Sequence, residues 1–176
     1  MIHFERKVLA NGLRIIAAPM TNTEAVTLLV LVGTGSRYET KETNGISHFL
    51  EHLFFKGTKS RPKPGQVHKD LDKIGASHNA FTSKETTGFW VKLAPKYFNI
   101  GLDIISDIIL EPLFLPEEIE KERGVILQEI NMYEDEPRRK VWDILENVLF
   151  GDQPMGWDVT GTKENILKIT RSDILR

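Results

Sequence analysis

The chain of 176 residues contains no cysteine, so it can form neither disulfides nor thiolate metal sites. Any metal that it binds must be held by nitrogen and oxygen atoms. Acidic and basic residues are nearly balanced, with 25 Asp and Glu against 23 Lys and Arg. The formal net charge of −2 gives no reason to expect nucleic acid or an anionic membrane as a partner. No apolar run reaches transmembrane length, and residues 1–6 contain no apolar signal segment. We therefore expect a cytoplasmic protein that binds neither nucleic acid nor membranes.

The remaining composition is ordinary for a globular protein, with 40% hydrophobic and 27% charged residues. The length suits one domain or a large part of one. Strand-like and helix-like segments are mixed along the chain, which predicts an α+β fold with a mostly antiparallel sheet and helices packed on one face. A helix-start signal at Ser172-Asp173 comes one turn before the last residue, Arg176, so we expect residues 1–176 to be one domain truncated at its C-terminal end.

The pattern of apolar residues and turn residues predicts the individual elements. Predicted strands are Phe4–Leu9 and Leu13–Ala18, joined by Asn11-Gly12, then Ala25–Val32, Ser77–Thr82 and Thr87–Leu93. Ala25–Val32 is almost continuously apolar, which is typical of a strand buried on both faces. Predicted helices are 45–56, 65–74, 95–110, 117–134 and 141–150, with short ones after Thr162 and at Ser172. Phe98, Leu102, Ile105 and Ile109 recur at helical spacing and predict the core-facing side of helix 95–110.

The pentapeptide His48-Phe49-Leu50-Glu51-His52 is the most informative motif. On a helix, two histidines four residues apart project from the same face, one turn above the other. Two imidazoles at this spacing can hold one zinc ion, and Glu51 can reach a water beside it without being a ligand. Apolar residues surround this triplet, so its polar groups would be costly to bury without a metal or hydrogen-bond partners. A solvated polar stripe is the alternative reading.

A catalytic zinc site commonly has a third protein ligand, and helix 117–134 offers two glutamates for this role. Glu122 and Glu129 are seven residues apart and therefore share one helix face. A helix of this composition normally turns its glutamates to solvent, so the spacing alone leaves the ligand role open.

Taken together, His48-Phe49-Leu50-Glu51-His52 and Glu122-Arg123-Gly124-Val125-Ile126-Leu127-Gln128-Glu129 resemble the pitrilysin and mitochondrial-processing-peptidase family of inverzincins. Further segments follow in family order: Asn11-Gly12-Leu13, Gly33-Thr34-Gly35-Ser36-Arg37, Phe55-Lys56-Gly57-Thr58, Asn79-Ala80-Phe81-Thr82-Ser83 and Gly161-Thr162. The resemblance thus extends along nearly the whole chain, which makes it far more specific than one pentapeptide.

The resemblance implies a zinc metalloendopeptidase with one Zn²⁺ per chain. His48, His52 and Glu129 would be the zinc ligands, and Glu51 would be the general base that activates water. Glu122 would be a supporting carboxylate that orients a histidine through its other ring nitrogen.

The resemblance also implies where a peptide substrate binds. Asn79, Ala80, Phe81 and Thr82 match the substrate-binding edge strand, to which an extended peptide would add by backbone hydrogen bonds. Phe55 matches an aromatic residue that lines the pocket after the scissile bond. Without the resemblance, an ordinary half-buried strand is the better explanation of residues 79–82, and a plain core phenylalanine explains Phe55 nearly as well as the pocket role does.

Family members have two homologous halves that enclose the substrate, and the second half supplies an arginine and a tyrosine that help to hold it. No residue here matches that pair, so a missing C-terminal half or a partner chain is expected. We expect the isolated chain to bind zinc but to cleave peptides weakly or not at all. Exposed apolar surface would also favour homo-oligomers.

There are two alternatives to a peptidase. One is a non-catalytic structural or binding subunit of the family. The other is a metal-binding domain without hydrolytic activity.

Overall fold

A computed structural model describes residues 3–176 of the chain. The strands are β1 (Glu5–Val8), β2 (Arg14–Ala17), β3 (Val26–Val32), β4 (Ser77–Thr82) and β5 (Thr87–Leu93). The helices are α1 (Ile46–Leu53), α2 (Gln66–Lys73), α3 (Phe98–Leu110), α4 (Pro116–Glu134), α5 (Pro137–Phe150), α6 (Lys163–Lys168) and α7 (Arg171–Ile174). Within this described part, no helix combines the length and the apolar character needed to cross a membrane.

The strands form two antiparallel sheets. β1 and β2 make a separate hairpin, with Glu5 opposite Ala17. β3, β5 and β4 make a three-stranded sheet in that spatial order, with Val26 opposite Leu93 and Ser77 opposite Lys92. β5 is therefore the central strand and β4 lies at an edge. The predicted α+β architecture with an antiparallel sheet and packed helices is confirmed.

The prediction that β3 is buried on both faces is wrong. Val26, Leu28 and Val30 pack against the core, but Leu29 and Leu31 on the other face are 50% and 58% exposed. No element in residues 3–176 covers that outer face, so the apolar run reflects one packed face and one open face.

The predicted core-facing side of α3 is correct for two of its four residues: Ile105 is buried, and Ile109 packs against the core. It is wrong for Phe98 and Leu102, which are 39% and 44% exposed, and Ile104 and Ile108 are buried instead. The helix is rotated because Gly101 lies against the sheet: a Cβ there would come within 2.3 Å of a Leu93 methyl carbon. The small glycine lets the helix backbone approach β5 closely, and this contact sets which face is buried.

Two apolar cores hold these layers together. The first lies between the three-stranded sheet and the helices α2 and α3, and it includes Phe55, Phe89 and Ile105. The second joins α1 to α4, α6 and α7 through Phe49, Ile126 and Ile166. Because α1 also contacts β4, it lies between the edge of the sheet and α4. This position brings the histidine motif, β4 and the α4 glutamates together.

The N-terminus of α1 is capped by a carboxylate from the preceding loop. Gly45, which precedes the helix, has a left-handed backbone and makes no side-chain cap bond. Instead the buried Glu39 side chain accepts hydrogen bonds from Asn44 Nδ2 at 3.0 Å, from the Gly45 amide at 2.8 Å and from the Ser47 amide at 2.8 Å. A carboxylate here satisfies free amides and complements the positive end of the helix dipole.

Replacing Glu39 by alanine should destabilise the protein by roughly 2–3 kcal/mol, because three buried donors lose a charged acceptor. The measurement is the free energy of unfolding in urea, with Glu42→Ala as a control because Glu42 is exposed in the same loop. Equal stability of the two variants would contradict the capping role.

Candidate metal centre

Three side chains from two helices converge on one point. His48 and His52 project from the same face of α1, and Glu129 faces them from α4. Glu129 Oε2 lies 3.3 Å from His52 Nε2 and 3.7 Å from His48 Nε2. One donor atom from each residue lies within 4.8 Å of the other two. Two imidazole nitrogens and one carboxylate oxygen form a donor set that suits zinc.

The local electrostatics also suit a cation. Burial, and then the charge of His52, lowers the pKa of His48 to about 4, so His48 is in the neutral form that metals require. Burial lowers the pKa of His52, but hydrogen bonds with Glu122 and Glu129 outweigh it and raise the pKa to about 9. For Glu129, burial raises the pKa, and bonds from His52 and Tyr133 reverse this and lower it to about 2. The site thus favours positive charge beside His52 Nε2, which a proton or a metal cation can supply.

Glu122 lies behind His52. Its Oε2 is 3.2 Å from His52 Nδ1, and its Oε1 accepts a 2.6 Å bond from Lys56 Nζ. Burial raises the pKa of Glu122, but the bonds with His52 and Lys56 lower it overall. The carboxylate therefore accepts from Nδ1–H and leaves Nε2 free to face Glu129. Lys56 was not singled out from the sequence, although it lies one turn after His52.

Glu129 has a supporting residue that sequence reasoning missed. The Tyr133 hydroxyl donates a hydrogen bond to Glu129 Oε1, and the Arg139 guanidinium lies 3.1 Å from the centre of the Tyr133 ring. Burial and the bond with Glu129 raise the pKa of Tyr133 to about 12, so the hydroxyl keeps its proton. Tyr133 is four residues after Glu129, and this helical spacing was a usable signal.

Glu51 lies beside the cluster and is held by the sheet. Thr82, the last residue of β4, donates a 2.6 Å hydrogen bond from Oγ1 to Glu51 Oε2. Burial raises the pKa of Glu51, and the Thr82 bond offsets this in part. Thr82 was predicted only as a substrate-binding residue, and its contact with Glu51 was not predicted.

The predicted substrate strand is β4, at the edge of the sheet. Along it, Ala80 and Thr82 are half-buried on one side, whereas Asn79 and Phe81 are exposed on the other. The Ala80 amide donates to Asn79 Oδ1 at 2.9 Å. Phe55 is only 8% exposed and belongs to the first core, but it also lines a cavity of about 290 Å³ together with Glu51 and His52. Phe55, Asn79 and Ala80 therefore line this cavity, whereas Phe81 and Thr82 do not.

Comparisons with known proteins identify the family of this chain. A family model described as Insulinase (Peptidase family M16) matches residues 14–163. A Bacillus subtilis (strain 168) protein named "Uncharacterized zinc protease YmxG" is 40% identical over 162 residues, which is 92% of this chain and 39% of that protein. The mitochondrial-processing peptidase subunit beta of Dictyostelium discoideum is 38% identical over 166 residues, covering 94% of this chain and 35% of the relative.

Solved structures give the same result for the fold. A protease from Helicobacter pylori superposes with a TM-score of 0.92 at 28% sequence identity, covering 99% of this chain and 42% of that one. Pitrilysin superposes with a TM-score of 0.80 at 23% identity, covering 94% and 18%. The chain therefore spans about two fifths or less of the length of these relatives.

Proposed function

The chain belongs to the insulinase (M16) peptidase family, and we propose that it forms the zinc-dependent peptide-hydrolysing part of a metalloendopeptidase. The observation that carries this proposal is the convergence of His48, His52 and Glu129, with Glu51 next to them. In this proposal the three residues are the zinc ligands and Glu51 is the general base.

The donor atoms and charges support zinc at this position. Zinc, when bound, supplies Lewis acidity that makes a water molecule more acidic and polarises a peptide carbonyl. Glu122 would fix the His52 ring by accepting from Nδ1–H, and Tyr133 would fix the Glu129 carboxylate.

Glu51 would move the proton. Its Oε2 accepts from Thr82, which fixes the carboxylate plane and leaves Oε1 to take a proton from the attacking water. The same carboxyl group can then give that proton to the amine of the cleaved peptide. Thr82 is therefore a positioning residue in this scheme, and it connects the end of the substrate strand to the base.

The substrate would be an extended or unfolded peptide. A peptide strand laid along the free edge of β4 would form backbone hydrogen bonds with residues Asn79, Ala80, Phe81 and Thr82. Because this recognition uses backbone groups, it tolerates many side chains. The remaining length of the relatives would supply other substrate contacts, either in the same polypeptide or in a partner chain, and self-association is an alternative source.

The direct test is zinc-dependent cleavage of unfolded peptides, followed by mass spectrometry at high protein concentration. We expect slow cleavage that stops when a chelator removes the metal and returns when one equivalent of zinc is added. Cleavage that is insensitive to chelation would contradict the proposal. A chain that holds one zinc and cleaves nothing would fit both a missing C-terminal half and the non-catalytic subunit, and cleavage by a longer form of the protein would decide between them.

A further inference from the structure

The loop between β3 and α1 contacts both elements that position Glu51. Its residues 35–39 follow β3 and include a short turn of 3₁₀ helix at Ser36–Tyr38. One end of this segment binds the turn that joins β4 to β5, and the other end binds the N-terminus of α1. Because it connects the two elements in this way, we call residues 35–39 the bracket loop.

The first end of the bracket loop holds the β4–β5 turn through backbone hydrogen bonds. The Ser36 amide donates to the Ser83 carbonyl at 3.2 Å, and the Arg37 amide donates to the Lys84 carbonyl at 2.7 Å. Ser36 is fully buried, so water does not compete for its bond. Ser83 directly follows Thr82, so the turn held by the loop lies next to the hydroxyl that bonds the proposed general base.

The close approach of the loop to this turn requires a glycine at position 35. A Cβ there would lie 2.3 Å from the Ser83 carbonyl oxygen and 2.8 Å from the Lys84 carbonyl carbon and oxygen. These are backbone atoms, which cannot rotate away as the end of a side chain can. The φ of Gly35 is 179°, an extended conformation that any residue adopts, so glycine serves here to leave space. A Cβ on Gly33, two residues earlier, would meet nothing within 4 Å.

The second end of the bracket loop holds α1. Glu39, its last residue, accepts hydrogen bonds from the Gly45 and Ser47 amides at 2.8 Å each. Ser47 lies about one helical turn before Glu51. Since the loop spans only five residues, it sets the spacing between the β4–β5 turn and the start of α1. Thr82 and Glu51 belong to these two parts, so a change in the spacing changes their hydrogen bond of 2.6 Å.

We propose that the bracket loop positions the general base, with Gly35 letting the loop hold the β4–β5 turn so closely that the Thr82 hydroxyl reaches Glu51. The proposal rests on the proposed peptidase function, because Glu51 is a base only in that scheme. Gly35 is a positioning residue that acts through Thr82. A contact of 2.3 Å must open by about 1 Å before a methyl group fits. A displacement of that size at a catalytic group can lower a rate by about 100-fold.

Gly35→Ala tests the proposal, and Gly33→Ala is the matched control because the same methyl group there meets open space. In a crystal structure of Gly35→Ala, the distance from Thr82 Oγ1 to Glu51 Oε2 should exceed about 3.5 Å, the limit for a hydrogen bond. Single-turnover cleavage at saturating peptide should be about 10–100-fold slower. Zinc content should equal that of the wild type, and Gly33→Ala should match the wild type in all three measurements.

A second substitution shows whether Gly35 acts through Thr82. Thr82→Val removes the hydroxyl and nearly keeps the shape, so it should slow cleavage by a similar factor. The double variant Gly35→Ala/Thr82→Val should then be no more than about threefold slower than Thr82→Val, because the same hydrogen bond is already lost. Losses that multiply would mean that Gly35 acts by another route, and would overturn the proposal.

The crystallographic distance separates this proposal from the peptidase assignment. If the wild type cleaves nothing, the distance between Thr82 and Glu51 in the two alanine variants still decides whether the bracket loop sets it. An unchanged distance in Gly35→Ala, an unchanged cleavage rate in an active protein, or an equal effect of Gly33→Ala would overturn the proposal.

Hydrogen exchange of the wild type decides the matter if Gly35→Ala does not fold. The Ser36 and Arg37 amides should exchange as slowly as the Gly45 and Ser47 amides at the other end of the bracket loop. Exchange at the rate of exposed loop amides would show that the loop does not hold the turn, and would overturn the proposal.

Discussion

Glu51→Gln should lower the rate constant of peptide cleavage by about 10²–10⁴-fold and leave the bound zinc in place. Glutamine has nearly the same shape as glutamate and can still accept the Thr82 hydrogen bond, but its amide cannot take a proton from water. Peptide cleavage should be lost, whereas the fold and the metal site should be unchanged. Single-turnover cleavage and zinc content, measured on the same preparation, test both parts of this expectation.

Glu42→Gln is the matched control for this substitution, because Glu42 is exposed shortly before α1 and makes no contact with the metal centre. It should retain both cleavage and zinc. If Glu51→Gln cleaved peptides at the wild-type rate, Glu51 would not be the base. If Glu51→Gln left the function of the protein intact, that function would be metal binding or a structural role and not hydrolysis.

Glu129→Gln should weaken zinc binding by at least about 100-fold, more than expected for a residue that only orients a ligand. The substitution removes a full negative charge that lies 3.3 Å from His52 Nε2 and 3.7 Å from His48 Nε2. The neutral amide oxygen is a poorer zinc donor than a carboxylate. Competition with a chromophoric chelator measures the change in the zinc dissociation constant.

Glu117→Gln provides the control on the same helix, because Glu117 is exposed in the first turn of α4. Its zinc affinity should equal that of the wild type. An unchanged affinity in Glu129→Gln would mean that Glu129 is not the third ligand.

Local patterns predicted the elements that position the site. β4 and β5 begin and end at the predicted residues, and α1 contains the whole histidine motif. α1 follows Gly45, β4 lies between Gly75 and Ser83, and β5 is followed by Ala94-Pro95, so turn and cap residues mark most of these ends. The face shared by Glu122 and Glu129 could also be read from a seven-residue spacing, since that separation spans two helical turns.

Contacts between different elements could not be predicted from such local patterns. Glu39 caps α1 from outside the helix, and Thr82 reaches Glu51 across 31 residues. Both contacts depend on how the loop and the sheet edge approach α1, which no local period encodes. The errors have the same origin: the close approach of Gly101 to Leu93 rotates α3, and one face of β3 is open within the described residues.

The central claim is that His48, His52 and Glu129 together hold one zinc ion. A crystal structure of the zinc-loaded protein, with anomalous scattering measured on both sides of the zinc absorption edge, tests it most directly. The account predicts one anomalous peak per chain, about 2.0–2.2 Å from a nitrogen of each histidine and from a Glu129 carboxylate oxygen. A peak at another set of residues, or none between these three after zinc loading, would contradict it.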